Sequence, residues 1–188
     1  MGEFSSIGIT DLTDRHLAAF WDTVRASGRD RAVTYCMPPK DGPAFVVWMR
    51  QPDIFPRIIL FRGEPCGLFF LTDREGKAAQ CHFCTLPMGT QRTAETPIGR
   101  LSAVRGFGLY ALGSTLWERN VSGGFVTDTL IGITPSCNAE AVKYIHTLGA
   151  QDCGLVPDAC WYWDTGENVP GVITVYTRAA LPDWTAAL

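Results

Sequence analysis

Three short stretches hold residues able to do chemistry. "AAQCHFCTL" (78–86) carries His82. An unperturbed imidazole titrates near neutrality and is the side chain best suited to exchange a proton there. Cys81 and Cys84 flank it at the C-x-x-C spacing of a redox or zinc pair. Read as a strand, positions three apart point to opposite faces, so the two thiols do not readily meet. No second C-x-x-C completes a zinc site, and buried structural thiols are the expectation. "RGFG" (105–108) places Arg105, Gly106 and Gly108 in a helical pattern. Glycine inside a helix costs about 1 kcal/mol against alanine. These two either open the helix in a turn or let backbone or a ligand approach closely. "ITPSCNAEAVKYIHTLGA" (133–150) sets Asn138 between an apolar strand and a helical run ending at Gly149, where its side chain can cap the helix.

The elements that must position these residues are legible in order. "SSIGITDL" reads as a first strand. "TDRHLAAFWDTVRASG" reads as a helix through Leu17, Phe20, Trp21 and Val24, capped by Thr13 or Asp14 and stopped by Gly28. "PAFVVWMRQ" is a second helix with Pro43 in its first turn. "RIILFRG", "EPCGLFFLTD" and "AAQCHFCTL" form an antiparallel meander. A long loop follows. The next helix includes Leu101, Val104, Leu109, Leu112 and Leu116, and Thr96-Pro97 is a rival start for it. Then come the strand "FVTDTLIGIT", the Asn138 helix, and the strands "CGLVPDACWYWD" and "GVITVYTR". In "CWYWD", Trp161 and Trp163 share one face and Tyr162 takes the other. The cluster fits core packing, an acceptor pocket or a seam with a second subunit. The order β-α-α-β-β-β-α-β-α-β-β reads as one α/β (α+β) domain over residues 1–188, with a mixed sheet.

The totals narrow the function classes. With 188 residues the chain is long enough for one ordinary core. A formal net charge of −3 supplies no basic excess for a polyanion, so nucleic acid is not expected as a partner. Its apolar runs are too short to cross a bilayer, so no membrane partner is expected. "MGEFSSIGITDLTDRH" lacks the charged and apolar regions of a signal peptide, and the seven cysteines are an odd number. Reduced thiols in a cytoplasmic protein are therefore expected.

Element order and three motifs together resemble the GNAT superfamily of acyl-CoA-dependent N-acetyltransferases, including its phage-encoded members. "RGFG" is similar to the first four positions of the family's Arg/Gln-x-x-Gly-x-Gly/Ala phosphate loop. "TLIGITP" looks like the strand that splays from its neighbour. "NAEAVKYIHTLGA" matches the family's helix at Asn138, Ala141 and Gly149. The resemblance implies a mostly antiparallel sheet of about seven strands flanked by four helices. It implies acetyl-CoA as cosubstrate and a primary amine of a small molecule or protein as acceptor. Arg105, Gly106, Gly108, Ile131, Ile133 and Asn138 would contact the cofactor. Glycines let backbone N–H groups converge on a pyrophosphate at a helix N-terminus. Here the loop's last small residue is replaced by Tyr110, and the N–H groups of Thr96 to Arg100 are rival donors.

The reaction so implied is direct attack of an amine on a thioester. It needs a base, a polarised carbonyl and an oriented cofactor. His82 is the candidate base, and a backbone N–H of Leu130 to Ile133 the candidate polariser. Many members carry a tyrosine acid seven residues after the Asn. That position is Ile145 here, and Tyr144 beside it is the candidate acid, rotated by about 100° on a helix. No metal is expected. His16 and His146 are expected in solvent, and a homodimer is compatible with the sequence. Three readings stay open: an active N-acetyltransferase, a catalytically inactive GNAT-like domain serving as a CoA-binding or protein-interaction module, and, more distantly, an unrelated α/β binding protein that shares only element order.

Overall fold

Helices begin where the sequence supplies a cap. Thr13 Oγ1 accepts the His16 N–H at 3.3 Å, and His16 Nδ1 accepts the Thr13 N–H at 3.2 Å. This reciprocal pair opens α1 (Asp14–Ala26). Asp41 Oδ1 accepts the Ala44 N–H at 2.8 Å and opens α2 (Gly42–Met49), with Pro43 in the first turn. Ser102 Oγ accepts the Arg105 N–H at 3.3 Å and opens α3 (Ala103–Leu116). Asn138 Oδ1 accepts the Ala141 N–H at 3.2 Å and opens α4 (Ala139–Thr147). Gly149 follows α4 at φ +85°, the left-handed stop that glycine adopts without penalty. The computed structural model describes residues 2–30, 34, 38–162 and 165–188.

The strands are β1 (Phe4–Ile7), β2 (Phe55–Phe61), β3 (Glu64–Glu75), β4 (Ala78–Thr85), β5 (Thr129–Pro135), β6 (Gln151–Tyr162) and β7 (Glu167–Thr177). They form one sheet in the order β1-β2-β3-β4-β5-β7-β6. All neighbours are antiparallel except β4 and β5. That parallel pair is short: Ala78↔Thr129, Ala79↔Leu130 and Gln80↔Ile131. Beyond it, Cys81–Thr85 and Gly132–Pro135 part and leave a gap in the sheet. The closed end is bolted by charge. Asp128, one residue before β5, pairs with Arg178 and lies 3.7 Å from Lys77 Nζ. The Arg178 guanidinium holds the Asp128 carboxyl below the usual carboxylate range and also donates to Leu116 O at 3.0 Å.

A core lies on each face. On one, α1 and α2 cover β2–β4, with Trp21 stacked on Phe45 at 4.7 Å and packed with Leu68, Phe70 and Cys84. On the other, α3 and α4 cover the sheet through Phe107, Leu112, Ile145, Leu130 and Tyr176. Burying each such side chain stabilises the fold by about 1.5–3 kcal/mol. Cys81 belongs to the second core and Cys84 to the first, so the strand does turn the two thiols to opposite faces. Burial pushes the Cys81 thiol up to about 12 and the Cys84 thiol higher still.

Three local features depart from the sequence reading. The third helix starts at Ser102, neither at Thr96-Pro97 nor at the glycines. Thr96 instead closes a turn with Gly99. Strand β3 runs on to Glu75 through an irregularity after Thr72, where Asp73 takes φ +48°. Strand β6 is an edge, shifted in register between Val156 and Cys160, and this accommodates Pro157. Trp161 on it is 48% exposed and so is not core; Trp163 lies outside the described residues.

Candidate functional site

The gap between β4 and β5 holds a cavity of about 470 Å³. Side chains of a strand alternate between faces. Cys81 and Phe83 line the cavity from the α3–α4 face, and His82 lines it from the α1–α2 face. Gly28 and Arg29, after α1, and Val104, Asn138 and Tyr144, from α3 and α4, complete the lining. The lining of the cavity therefore draws on both faces of the sheet. Among the described residues that line it, the ordinarily charged ones are Arg29 and Glu140.

His82 sits mid-strand opposite Phe70 and stacks on its ring, with centroids 4.5 Å apart and planes 10° off parallel. Its Nε2 lies 2.9 Å from Thr72 Oγ1. Burial lowers its pKa from 6.5 to about 4, against the opposing pull of Asp73. The ring is thus neutral at physiological pH, with a lone pair available on one nitrogen.

Asn138 is half-buried at the cavity wall. Its Oδ1 caps α4, while its amide NH2 finds no protein partner among the described residues. On β5, the Thr129 N–H donates to Lys77 O at 3.2 Å. Odd-numbered residues therefore turn their backbone polar groups toward β4. Of Leu130 to Ile133, this leaves Ile131 and Ile133 as the residues whose backbone faces that side. Ile131 is still in the paired stretch; Ile133 lines the cavity.

Tyr144 and Ile145 both line the cavity. Ile145 is 6% exposed and belongs to the core beside α3. The Tyr144 ring meets Phe83 edge-on at 6.2 Å, and its hydroxyl donates to Val104 O at 2.8 Å. Burial raises its pKa, so the phenol stays protonated.

Arg105, Gly106 and Gly108, expected at a phosphate loop, lie inside α3. The Gly106 N–H is spent on Ser102 O at 2.9 Å, inside the helix. A Cβ on Gly106 would lie 2.8 Å from the Phe4 ring; one on Gly108 would lie 2.5 Å from Tyr144 Oη and 2.6 Å from Leu148. These glycines are close-packing positions that let β1 and α4 press on α3. Arg105 Nε donates to Thr147 O at 3.0 Å and ties α3 to the end of α4. In the rival loop the Ile98 and Gly99 N–H groups bond to Thr96, and just after it the Leu101 N–H bonds to Thr93 Oγ1. In the first turn of α3, Ala103 N–H bonds to Gln91 O, which leaves the Val104 N–H without a protein partner among the described residues.

His16 forms its helix cap, and His146 sits exposed with Nε2 2.8 Å from Asp152 Oδ1. Among the described residues no group of three or more His, Cys, Asp or Glu is placed to hold a metal ion, and no helix is long and apolar enough to cross a membrane. Sequence reasoning missed Arg29, Val104 and Thr72. Only the fold brings them to the gap and to His82, and no spacing signals it.

No protein-family model matches the sequence, and no curated protein matches it either. Solved structures do. A probable GNAT-family acetyltransferase from Chromobacterium violaceum superposes with a TM-score of 0.69 at 15% identity, over 98% of this chain and 86% of that one. A spermidine N-acetyltransferase from Vibrio cholerae, in complex with CoA and spermine, gives 0.69 at 10% identity, over 95% and 98%. An aminoglycoside acetyltransferase in complex with coenzyme A and kanamycin gives 0.61 at 17% identity, over 94% and 96%. The chain has the fold of the GNAT acetyltransferases, with their mixed α/β architecture around a seven-stranded, mostly antiparallel sheet.

Proposed function

We propose that this chain is an N-acetyltransferase that moves an acetyl group from acetyl-CoA to the primary amine of a small molecule. The observation that carries this reading is the cavity at the β4–β5 gap, lined from both faces of the sheet, where two substrates could meet. A direct transfer needs that arrangement, because proximity and orientation account for most of its acceleration. The residues present fit the slender, amide-bearing arm of coenzyme A. β4 and β5 share no register pair beyond Gln80↔Ile131, and an extended amide chain fits between parted strands. Asn138 adds a side-chain donor and the Val104 N–H a helix-terminus donor.

Acetyl-CoA supplies the acetyl group as an activated thioester. His82, neutral and lining the cavity from the α1–α2 face, takes the proton that the attacking amine must lose. Tyr144 holds α4 against α3 through Val104 and keeps its proton. In this arrangement it shapes the wall, and donation to a departing thiolate requires it to leave that carbonyl. Spermine and kanamycin, bound in the two named complexes above, make a small-molecule amine the acceptor class to test first.

The second reading, a GNAT-like binding module without catalysis, draws on Ile145 lying in the core and on the single first-turn donor at α3. A thermal-shift titration with acetyl-CoA, CoA and ATP, followed by thiol release over an amine panel, separates the two. At a hundredfold excess over Kd, binding stabilises by about 2.7 kcal/mol, or roughly 5–10 °C in Tm for a chain of this size. Both CoA species are expected to shift Tm and ATP is not. No shift from either at millimolar concentration overturns both readings. A shift without thiol release for any amine selects the binding module.

A further inference from the structure

We propose that Thr72 and Asp73 are positioning residues that fix the tautomer of His82 and reserve its Nδ1 for the acceptor's proton. The inference rests on His82 being the base. It begins in the β3–β4 register. Phe70 lies opposite His82 and Thr72 opposite Gln80, so Thr72 is the diagonal neighbour of His82 on the same face. Thr72 Oγ1 touches two groups: His82 Nε2 at 2.9 Å and Asp73 Oδ2 at 3.0 Å. A hydroxyl has one proton, and a carboxylate can only accept. The Thr72 proton therefore goes to Asp73, and Thr72 must accept from His82. Nε2 carries the ring hydrogen and Nδ1 keeps its lone pair.

The backbone is bent to make this possible. After Thr72↔Gln80 the pairing resumes only at Glu75↔Ala78. In between, Asp73 takes φ +48°, a conformation that non-glycine residues seldom adopt. Such outliers persist where the surroundings enforce them, and they concentrate at functional sites. Here the irregularity turns the carboxylate back onto the hydroxyl that holds the histidine. The Phe70 stack fixes the plane of the ring, and the Asp73–Thr72 pair fixes its protonation.

The step balances as follows. The amine nitrogen forms a bond to the acetyl carbon, the carbon–sulfur bond breaks, and the sulfur leaves with that electron pair as the CoA thiolate. The amine proton passes to Nδ1 and makes an imidazolium, whose Nε2–H stays on Thr72 with the Asp73 carboxylate behind it. The imidazolium then loses its proton to the thiolate or to solvent.

Ring 15N shifts of His82, read from long-range 1H–15N correlations on the whole chain at pH 7, test the assignment. The wild type is expected to show a protonated Nε2 and a bare Nδ1. Thr72→Val is expected to mix the tautomers and lower kcat about tenfold with KM for acetyl-CoA unchanged, and Thr72→Ser to restore both. Asp73→Gly tolerates the positive φ but frees the Thr72 proton, and should shift the ring toward Nδ1–H. A wild-type ring protonated on Nδ1, or a Thr72→Val variant with wild-type shifts and turnover, overturns the proposal. If His82→Gln turns over acceptor as fast as wild type, the base reading itself fails, and the positioning role falls with it. The tautomer spectra show independently whether the hydrogen-bond chain is as described. Thermal melts of each variant, with Thr72→Ser as the folded reference, separate misfolding from either result.

Discussion

Substituting Gly108 by alanine separates a packing glycine from a phosphate-binding one. An added Cβ would sit 2.5 Å from Tyr144 Oη and 2.6 Å from a Leu148 methyl, both inside normal contact. Leu148 is 1% exposed, and Tyr144 is tethered to Val104 O at 2.8 Å, so neither retreats cheaply. Overpacking a filled core costs about 1–3 kcal/mol. Loosening the tyrosine's hydrogen bond costs about 1 more. Alanine in a helix returns about 1. The net expectation is a loss of about 2 kcal/mol, or roughly 4–8 °C in Tm. Urea unfolding followed by far-UV circular dichroism reads this directly. A double variant, Gly108→Ala with Tyr144→Phe, removes the hydroxyl in the way and should recover at least about 0.5 kcal/mol of the sum of the single effects. The reasoning is refuted if Gly108→Ala is as stable as wild type or gains the ~1 kcal/mol that propensity alone would give. A variant that is equally stable yet no longer binds CoA would return Gly108 to the phosphate site.

Further expectations concern the histidine, the asparagine and the tyrosine. Between pH 6.5 and about 4 the unfolded chain takes up a proton at His82 that the folded chain refuses. Folding stability is therefore whole above 6.5 and falls as pH drops toward 4, by on the order of 3 kcal/mol, and His82→Gln should flatten that part of a urea-midpoint profile against pH. Asn138→Ala should lose about 1 kcal/mol as a missing cap. Asn138→Ser should regain the cap but not the amide, so calorimetry should find its CoA affinity still weakened severalfold; full affinity in the serine variant would confine Asn138 to capping. Tyr144→Phe should cost about 1 kcal/mol in denaturation and leave kcat within about threefold, whereas a loss of a hundredfold or more, about 2.7 kcal/mol in the barrier, would make it the acid.

How much of this was legible depended on the range of the interaction. Caps are local. Thr13 and Asn138 each bond within three residues, and their chemistry shows in the string of letters. The element order followed from alternating apolar strands and helical spacing, and the mostly antiparallel seven-stranded sheet from the resemblance. Sequence left the role of Gly106 and Gly108 open between a turn and a close approach, because the rings and methyls that meet them come from β1 and α4. A glycine that makes a turn and a glycine that receives a neighbour look alike in sequence. How far Tyr144 and Ile145 each turn toward the cavity depends on the rotation of α4 about its axis, which its packing on α3 decides. Thr72 was silent for a further reason: the irregularity that aims Asp73 at it lies in a polar strand end with no periodic signature.

Seven strands share one sheet, but three residue pairs alone stitch β4 to β5. A sheet with so few rungs at one joint has a seam. The ion pairs of Asp128 with Lys77 and Arg178 clamp one end of it, so the two halves are hinged there and held elsewhere by α3 and its core. Sub-global opening in native-state hydrogen exchange should run along this line before the rest of the fold gives way. Anything lying lengthwise in the gap becomes a missing rung. Its occupancy should slow amide exchange on both bordering strands at once, and so report ligand binding as a gain in the cohesion of the sheet.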